Sequence, residues 1–213
     1  MLCVSLAEPS VAAMLRALRG VRFAEIRLDA VSGLTEEGVR SIFSRRTRLI
    51  ATFRPLKRNE SRRLRFLASA IEAGAAYVDI EVETPAPSRR SLIGLARENR
   101  CKVILSYHNH RETPSRGALL KTIDRAFAAG ADMVKIACLS RGPRDNARLL
   151  GLLEDPRPTI VVGMGKAGAV TRIAAPLLGS PIAYAFSGSG PPTAPGQIEA
   201  ATLISFWERI KNA

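Results

Sequence analysis

Asp132-Met133-Val134-Lys135-Ile136-Ala137-Cys138 sets one lysine in the middle of an apolar run. The run has the length and composition of a short buried strand. An ammonium with apolar neighbours on both sides loses hydration, which favours its neutral form. A neutral amine can attack a carbonyl and form a Schiff base. Lys135 is one of only six lysines and the only one inside a run this apolar. The plain alternative is a strand-end lysine whose ammonium reaches solvent. The rest of the chain decides between the two.

Working outward, β-like runs alternate with amphipathic helical runs. Strands are expected at Leu2 to Leu6, Phe23 to Leu28, Leu49 to Phe53, Tyr77 to Val82, Lys102 to Tyr107, Met133 to Cys138, Thr159 to Gly163 and Ile182 to Phe186. Helical patterns follow each: Ser10 to Arg19, Thr35 to Phe43, Ser61 to Ala73, Ser88 to Asn99, Ser115 to Ala129, Arg144 to Leu153, Ala169 to Leu178 and Gln197 to Ile210. Thr35 before Glu36-Glu37 reads as an N-cap with acidic residues at the positive dipole end. Gly74 and Gly130 read as C′ residues. Strands alternating with helices imply a parallel sheet, and eight such units most often close into a (β/α)8 TIM barrel. The dinucleotide glycine fingerprint is missing after the first strand, which counts against an open doubly wound sheet. Residues 1–213 show no linker, so one catalytic barrel domain is expected.

The bulk numbers narrow the class. Apolar content of 46% and charged content of 24% fit an ordinary globular chain and argue against disorder. No apolar run is long enough to span a bilayer, and the first residues lack the pattern of a secretory signal. No membrane partner is expected, and the location expected is cytoplasmic. Cys3, Cys101 and Cys138 are odd in number and far apart, as suits core residues in a reducing compartment rather than a bridge or metal set. The net charge of +13 comes mostly from arginine spread along the whole chain. With only 5% aromatic residues, there are few platforms for nucleic-acid bases. The charge is read as solvated helix faces, with no nucleic-acid partner.

The strand pattern carries the functional signal. Side chains alternate faces along a strand. Glu25, Arg27 and Asp29 fall on one face of the second strand, opposite Ile26 and Leu28. Thr52 and Arg54 share a face of the third, Asp79 and Glu81 of the fourth, Ser106 and His108 of the fifth. The helix-covered outside of a barrel must be apolar, so these groups face the interior or its mouth. There they must be paired or ligand-facing. Most lie late in their strands, at the end where barrel active sites form. His108 continues the inward alternation and is the candidate general acid and base. His110 falls in the loop beyond. Gly163-Met164-Gly165-Lys166-Ala167-Gly168 and Gly188-Ser189-Gly190 read either as anion-binding loops or as plain turns. Arg172, early in the next helix, could hold a carboxylate or phosphate bidentately.

Seven segments, in order, resemble type I 3-dehydroquinate dehydratases over most of the chain. They are Glu25-Ile26-Arg27-Leu28-Asp29, Thr52-Phe53-Arg54, Tyr77-Val78-Asp79-Ile80-Glu81, Ser106-Tyr107-His108-Asn109, Asp132 to Ala137, Met164-Gly165 with Thr171-Arg172, and Ala194-Pro195-Gly196-Gln197. The resemblance implies a β/α barrel that dehydrates 3-dehydroquinate, a small carboxylate, to 3-dehydroshikimate. It implies no metal, no organic cofactor, and a homodimer in many members. By the same resemblance Lys135 forms the Schiff base and His108 moves protons. Arg172 and Gln197 hold the substrate's carboxylate and hydroxyls, and Glu25, Arg27 and Arg54 line the polar end of the pocket. Thr193 stands where serine is common, Met164 packs near the imine, and Tyr184 or Phe186 packs on the ring.

One stretch departs from the pattern. Many members carry a Gly-Gly-Glu-like stretch after the third-strand arginine, where this chain reads Pro55-Leu56-Lys57-Arg58-Asn59-Glu60. Whether Glu60 supplies the rim carboxylate is left open. Two rival readings remain: a Schiff-base aldolase of phosphorylated sugars, and a basic barrel that binds RNA without catalysis.

Overall fold

The structure, a computed structural model, describes residues 1–55, 60–188 and 192–212. Eight strands form one sheet. They are β1 (Leu2–Leu6), β2 (Phe23–Arg27), β3 (Arg48–Thr52), β4 (Tyr77–Glu81), β5 (Lys102–Asn109), β6 (Met133–Leu139), β7 (Thr159–Met164) and β8 (Ala183–Ala185). A helix follows each: α1 (Val11–Ala17), α2 (Glu36–Phe43), α3 (Glu60–Glu72), α4 (Ala86–Glu98), α5 (Arg116–Ala128), α6 (Pro143–Leu150), α7 (Ala169–Leu177) and α8 (Ala200–Lys211). The sheet order is β7-β6-β5-β4-β3-β2-β1-β8, sequential throughout with β8 beside β1. The β1–β8, β2–β3, β3–β4 and β6–β7 pairings are all parallel. This is the strand order of the (β/α)8 barrel class.

The chain divides into two compact units, residues 5–105 with 129–132, and residues 1–4 with 106–128 and 133–213. In the first, Ile26, Ile50, Val78 and Ile80 on the strands and Val39, Ile42, Phe66, Leu67 and Ile71 on the helices are buried. The register aligns Arg27 with Thr52 and Thr52 with Asp79, which gathers the strand ends. At the opposite ends of the same strands, Arg48 lies over the rings of Phe23 and Tyr77 and donates to the Tyr77 hydroxyl at 2.6 Å. Thr35 caps α2 by accepting from Gly38 N–H at 3.1 Å, as the sequence implied. Gly74, at φ +103, ends α3 at its C′ position, with Ala75 N–H donating to the Ala70 carbonyl at 3.0 Å. At the end of α4 that left-handed position falls to Arg100, at φ +55.

In the second unit Val134, Ile136, Ile160 and Val161 on the strands are buried, as are Leu149, Leu152, Ala175 and Leu203. Near-continuous apolar strands are what a sheet buried on both faces requires. Several boundaries differ from the sequence expectation by one to three residues. Strand β5 runs on to Asn109, so His108 lies inside it. Strand β8 stops at Ala185, and α6 gives way to a 3-10 turn at Gly151–Glu154.

Candidate active site

In the unit holding β2 to β4, the inward polar residues form a charge cluster centred on Arg54. Its guanidinium donates to both oxygens of Asp79, each at 3.1 Å, and pairs with Glu81. It also lies 3.6 Å from Glu25. Glu25 in turn accepts from the Ser5 hydroxyl at 2.6 Å and the Thr52 hydroxyl at 3.1 Å. Glu25, Asp79 and Glu81 are all buried. Burial works against the Arg54 charge, but Asp79, Glu81 and Glu25 outweigh it and raise its pKa above the ordinary arginine value. Charges buried in this way are tolerated because each is paired and hydrogen-bonded.

Arg27 donates to Asp29 through Nε at 3.0 Å and Nη2 at 2.6 Å. Burial opposes its charge, yet Asp29 and Glu25 leave its pKa raised. Asp29 lies in a 3-10 turn, Leu28–Ala30, rather than on the strand. It still meets Arg27 and also accepts from the Arg54 backbone N–H at 3.3 Å. Glu60 opens α3 and binds Arg63 through both its oxygens, at 2.9 and 2.6 Å. That contact lowers its pKa. Residues 56–59, where the sequence departs from the motif, lie outside the described residues, as do Ser189 and Gly190 of the second glycine-rich loop.

In the other unit Lys135 is mid-strand on β6 and only 5% exposed. Its Nζ lies 3.9 Å from the centroid of the Tyr184 ring. An amine over an aromatic face is attracted by the ring quadrupole when charged and packed against apolar surface when not. Tyr184 is on β8 against the amine, whereas Phe186 lies beyond the strand, in a bridge with Glu199. Lys135 pairs in register with Ile160, four residues before Met164 on β7. Met164 is buried and shares the face of Lys135 by alternation.

His108 is half-buried near the end of β5, the strand beside β6 in the sheet. Its ring lies nearly parallel to that of His110, at 6.2 Å and 15°. Arg172 is buried on α7, with Nη2 3.5 Å from the Pro195 carbonyl. The Gln197 side-chain oxygen accepts from Thr193 N–H at 2.7 Å and from its hydroxyl at 3.0 Å. The three cysteines are free and buried. Burial pushes the Cys101 and Cys138 thiols up to about 12, so neither competes as a nucleophile near neutral pH. Among the described residues no three His, Cys, Asp or Glu side chains are placed to share a metal ion, and no helix is long and apolar enough to cross a membrane.

Sequence reasoning missed Ser5, whose hydroxyl holds Glu25, although a lone serine in an apolar first strand was visible. It also missed Ser140 and Asn146, which hydrogen-bond each other at 2.7 Å.

The sequential strand order, with a helix after each strand, defines a β/α-barrel protein, and within it a buried mid-strand lysine lies against an aromatic ring. Comparison with known proteins narrows the class. A profile of type I 3-dehydroquinase matches residues 2–212, and the chain belongs to that family. The 3-dehydroquinate dehydratase of Desulfotalea psychrophila is 33% identical over 221 residues, covering 98% of this chain and 97% of that protein. That of Methanothermobacter thermautotrophicus is 36% identical over 187 residues, covering 84% and 81%. Among solved structures, type I 3-dehydroquinate dehydratase from Clostridium difficile, with covalently modified comenic acid, superposes with a TM-score of 0.88 at 19% identity. It covers 99% of this chain and 92% of that one. A 3-hexulose-6-phosphate synthase from Salmonella typhimurium reaches 0.65 at 18% identity, covering 98% of each chain. Likeness at these identities shows the barrel fold alone.

Proposed function

We propose that this chain dehydrates 3-dehydroquinate to 3-dehydroshikimate, as a hydro-lyase of the shikimate pathway acting through Lys135 and His108. The observation that carries the reading is Lys135 itself: an amine buried mid-strand on the Tyr184 ring, within the motif order of the family. Lys135 Nζ adds to the substrate ketone, and loss of water gives an iminium. That cation draws electrons from the adjacent C–H bond, and His108 takes the proton. The resulting enamine expels the hydroxyl, which leaves as water with the proton from His108. Hydrolysis of the conjugated imine frees the product and restores the amine. Net, one substrate gives one product and one water.

On their motif positions Arg172 and Gln197 are assigned to the substrate's carboxylate and hydroxyls, with Thr193 beside Gln197. Glu25, Arg27, Arg54 and Met164 are assigned to substrate contact. A positioned acid or base contributes on the order of 100- to 10,000-fold in rate. The test is ultraviolet detection of the conjugated enone after adding 3-dehydroquinate, with borohydride reduction to trap substrate mass on Lys135. An adduct on Lys166 instead would overturn the assignment.

The profile's span over residues 2–212 supports one catalytic domain. A reducing cytoplasm suits three free cysteines. A homodimer suits the outer side of α7, where Val170 and Leu177 are exposed and the helix's one charged residue, Arg172, is buried. On a chain of net charge +13, that face offers a second copy little like charge to repel it.

A further inference from the structure

The strand bearing Lys135 ends at Leu139, which pairs in register with Met164 on β7. One residue on, Ser140 N–H donates to the Met164 carbonyl at 3.1 Å. The Ser140 hydroxyl, itself buried, donates to Asn146 Oδ1 at 2.7 Å. Asn146 is buried on α6, and its Nδ2 donates to the Ala167 carbonyl at 2.8 Å. A side-chain relay therefore runs from the end of β6, through α6, to the turn after β7.

That turn is tightly fixed. A Cβ on Gly168 would fall 2.4 Å from the Gly163 carbonyl carbon. Thr171 Oγ1 accepts from Gly163 N–H at 2.7 Å and donates to the Gly168 carbonyl at 2.8 Å. The far side of the turn carries the segment before Gln197. Gly165 N–H donates to the Pro195 carbonyl at 3.3 Å, and a Cβ on Gly196 would meet the Gly165 carbonyl oxygen at 2.4 Å. Arg172 reaches the same Pro195 carbonyl.

We infer that Asn146, with Ser140, is a positioning residue: the pair fixes the turn at residues 165–168, on which Arg172 and the Pro195-Gly196-Gln197 segment depend for their placement. Neither residue touches substrate. Their effect is on how well the Arg172 and Gln197 groups are held to receive it. This rests on the substrate role assigned above to Arg172 and Gln197. Losing one buried hydrogen bond of ordinary strength corresponds to roughly fivefold to tenfold in an equilibrium.

The experiment compares Ser140→Ala, Asn146→Leu and the double variant with the parent chain, in steady-state dehydration of 3-dehydroquinate and in borohydride trapping at saturating substrate. Expected are a KM raised about fivefold to tenfold in each single variant, a kcat within about twofold of the parent, full trapping on Lys135, and a double variant no worse than the worse single. Ser140→Ala removes only one oxygen and keeps the test open if Asn146→Leu does not fold. Unchanged KM in folded variants, or kcat falling as far as kcat/KM, overturns the brace. Arg172→Ala separates the two readings. If it raises KM while Ser140→Ala does not, the brace alone fails. If it leaves KM untouched, or the parent does not turn over 3-dehydroquinate, both fail.

Discussion

Replacing Arg54 with methionine keeps much of the side chain's bulk and removes one positive charge from among three buried carboxylates. Asp79 is held bidentately at 3.1 Å, Glu81 by a short contact, and Glu25 at 3.6 Å. Breaking a buried ion pair by deleting one partner costs about 3–5 kcal/mol. Total stability for a domain is about 5–15 kcal/mol, so Arg54→Met should forfeit a large share of it near neutral pH. The loss should also depend on pH in a set direction. Without the guanidinium, the carboxylates lose a shared cation, and their pKa values in the folded variant rise above those in the folded parent. The folded variant then binds more protons than the folded parent, so its deficit grows as pH rises through those values and shrinks as pH falls. Each such proton contributes at most about 1.4 kcal/mol per pH unit. Urea unfolding at pH 7.5 and pH 5 should show the deficit of the variant relative to the parent shrinking by about 1–3 kcal/mol at the lower pH. Arg54→Lys keeps the charge without the fork and should lose less. A deficit under about 1 kcal/mol, or one equal at the two pH values, would refute the view that Arg54 is the shared counter-ion.

Four further outcomes are expected. Lys135→Ala should be nearly inactive and take up no substrate mass on borohydride reduction, and His108→Ala should slow turnover by about 100- to 10,000-fold. Gly168→Ala drives a methyl against the Gly163 backbone and should cost about 1–3 kcal/mol or more, whereas Gly94→Ala, with nothing within 4 Å on α4, should stabilise by about 0.5–1 kcal/mol; thermal melts distinguish the two. Arg100→Gly relieves a left-handed residue at φ +55 and should raise the melting temperature by about 2–4 °C, the equivalent of about 1 kcal/mol. Asp155 is held down to about 2, from 3.8, by hydrogen bonds from Arg157. Its contribution to stability should be present above about pH 4 and lost as pH falls towards 2. The difference between the parent and Asp155→Asn in acid titrations of unfolding should vanish in that window and not at higher pH.

Short β-like runs alternating with amphipathic helical runs carried most of the fold and placed eight strands and eight helices. A strand covered on its outside by a helix must be apolar there, and Glu25, Thr52, Asp79, Ser106 and Lys135 stood out as polar residues assigned to the other face. Element ends were less legible. Asp29 reads as a third inward residue of β2, yet the strand stops at Arg27, and a 3-10 turn delivers its carboxylate to the same guanidinium. Tyr184 and Phe186 share a face by alternation, so period alone cannot choose between them. The Lys135 amine lies against the Tyr184 ring, and Phe186 falls just beyond the end of β8. Glu60 was legible only as a carboxylate near a rim; its engagement by Arg63 is a helix-turn contact.

What the sequence by itself determined is the set of groups and their strand positions, since side-chain period and charge-burial energetics act on neighbours a few residues apart. Tertiary structure alone decided which groups meet: Ser5 with Glu25, Arg54 with Asp79 and Glu81, Lys135 with Tyr184, and Asn146 with the Ala167 carbonyl. Those partners lie far apart along the chain, and hydrogen bonds and ion pairs depend on distances of a fraction of an ångström, which only packed elements can set.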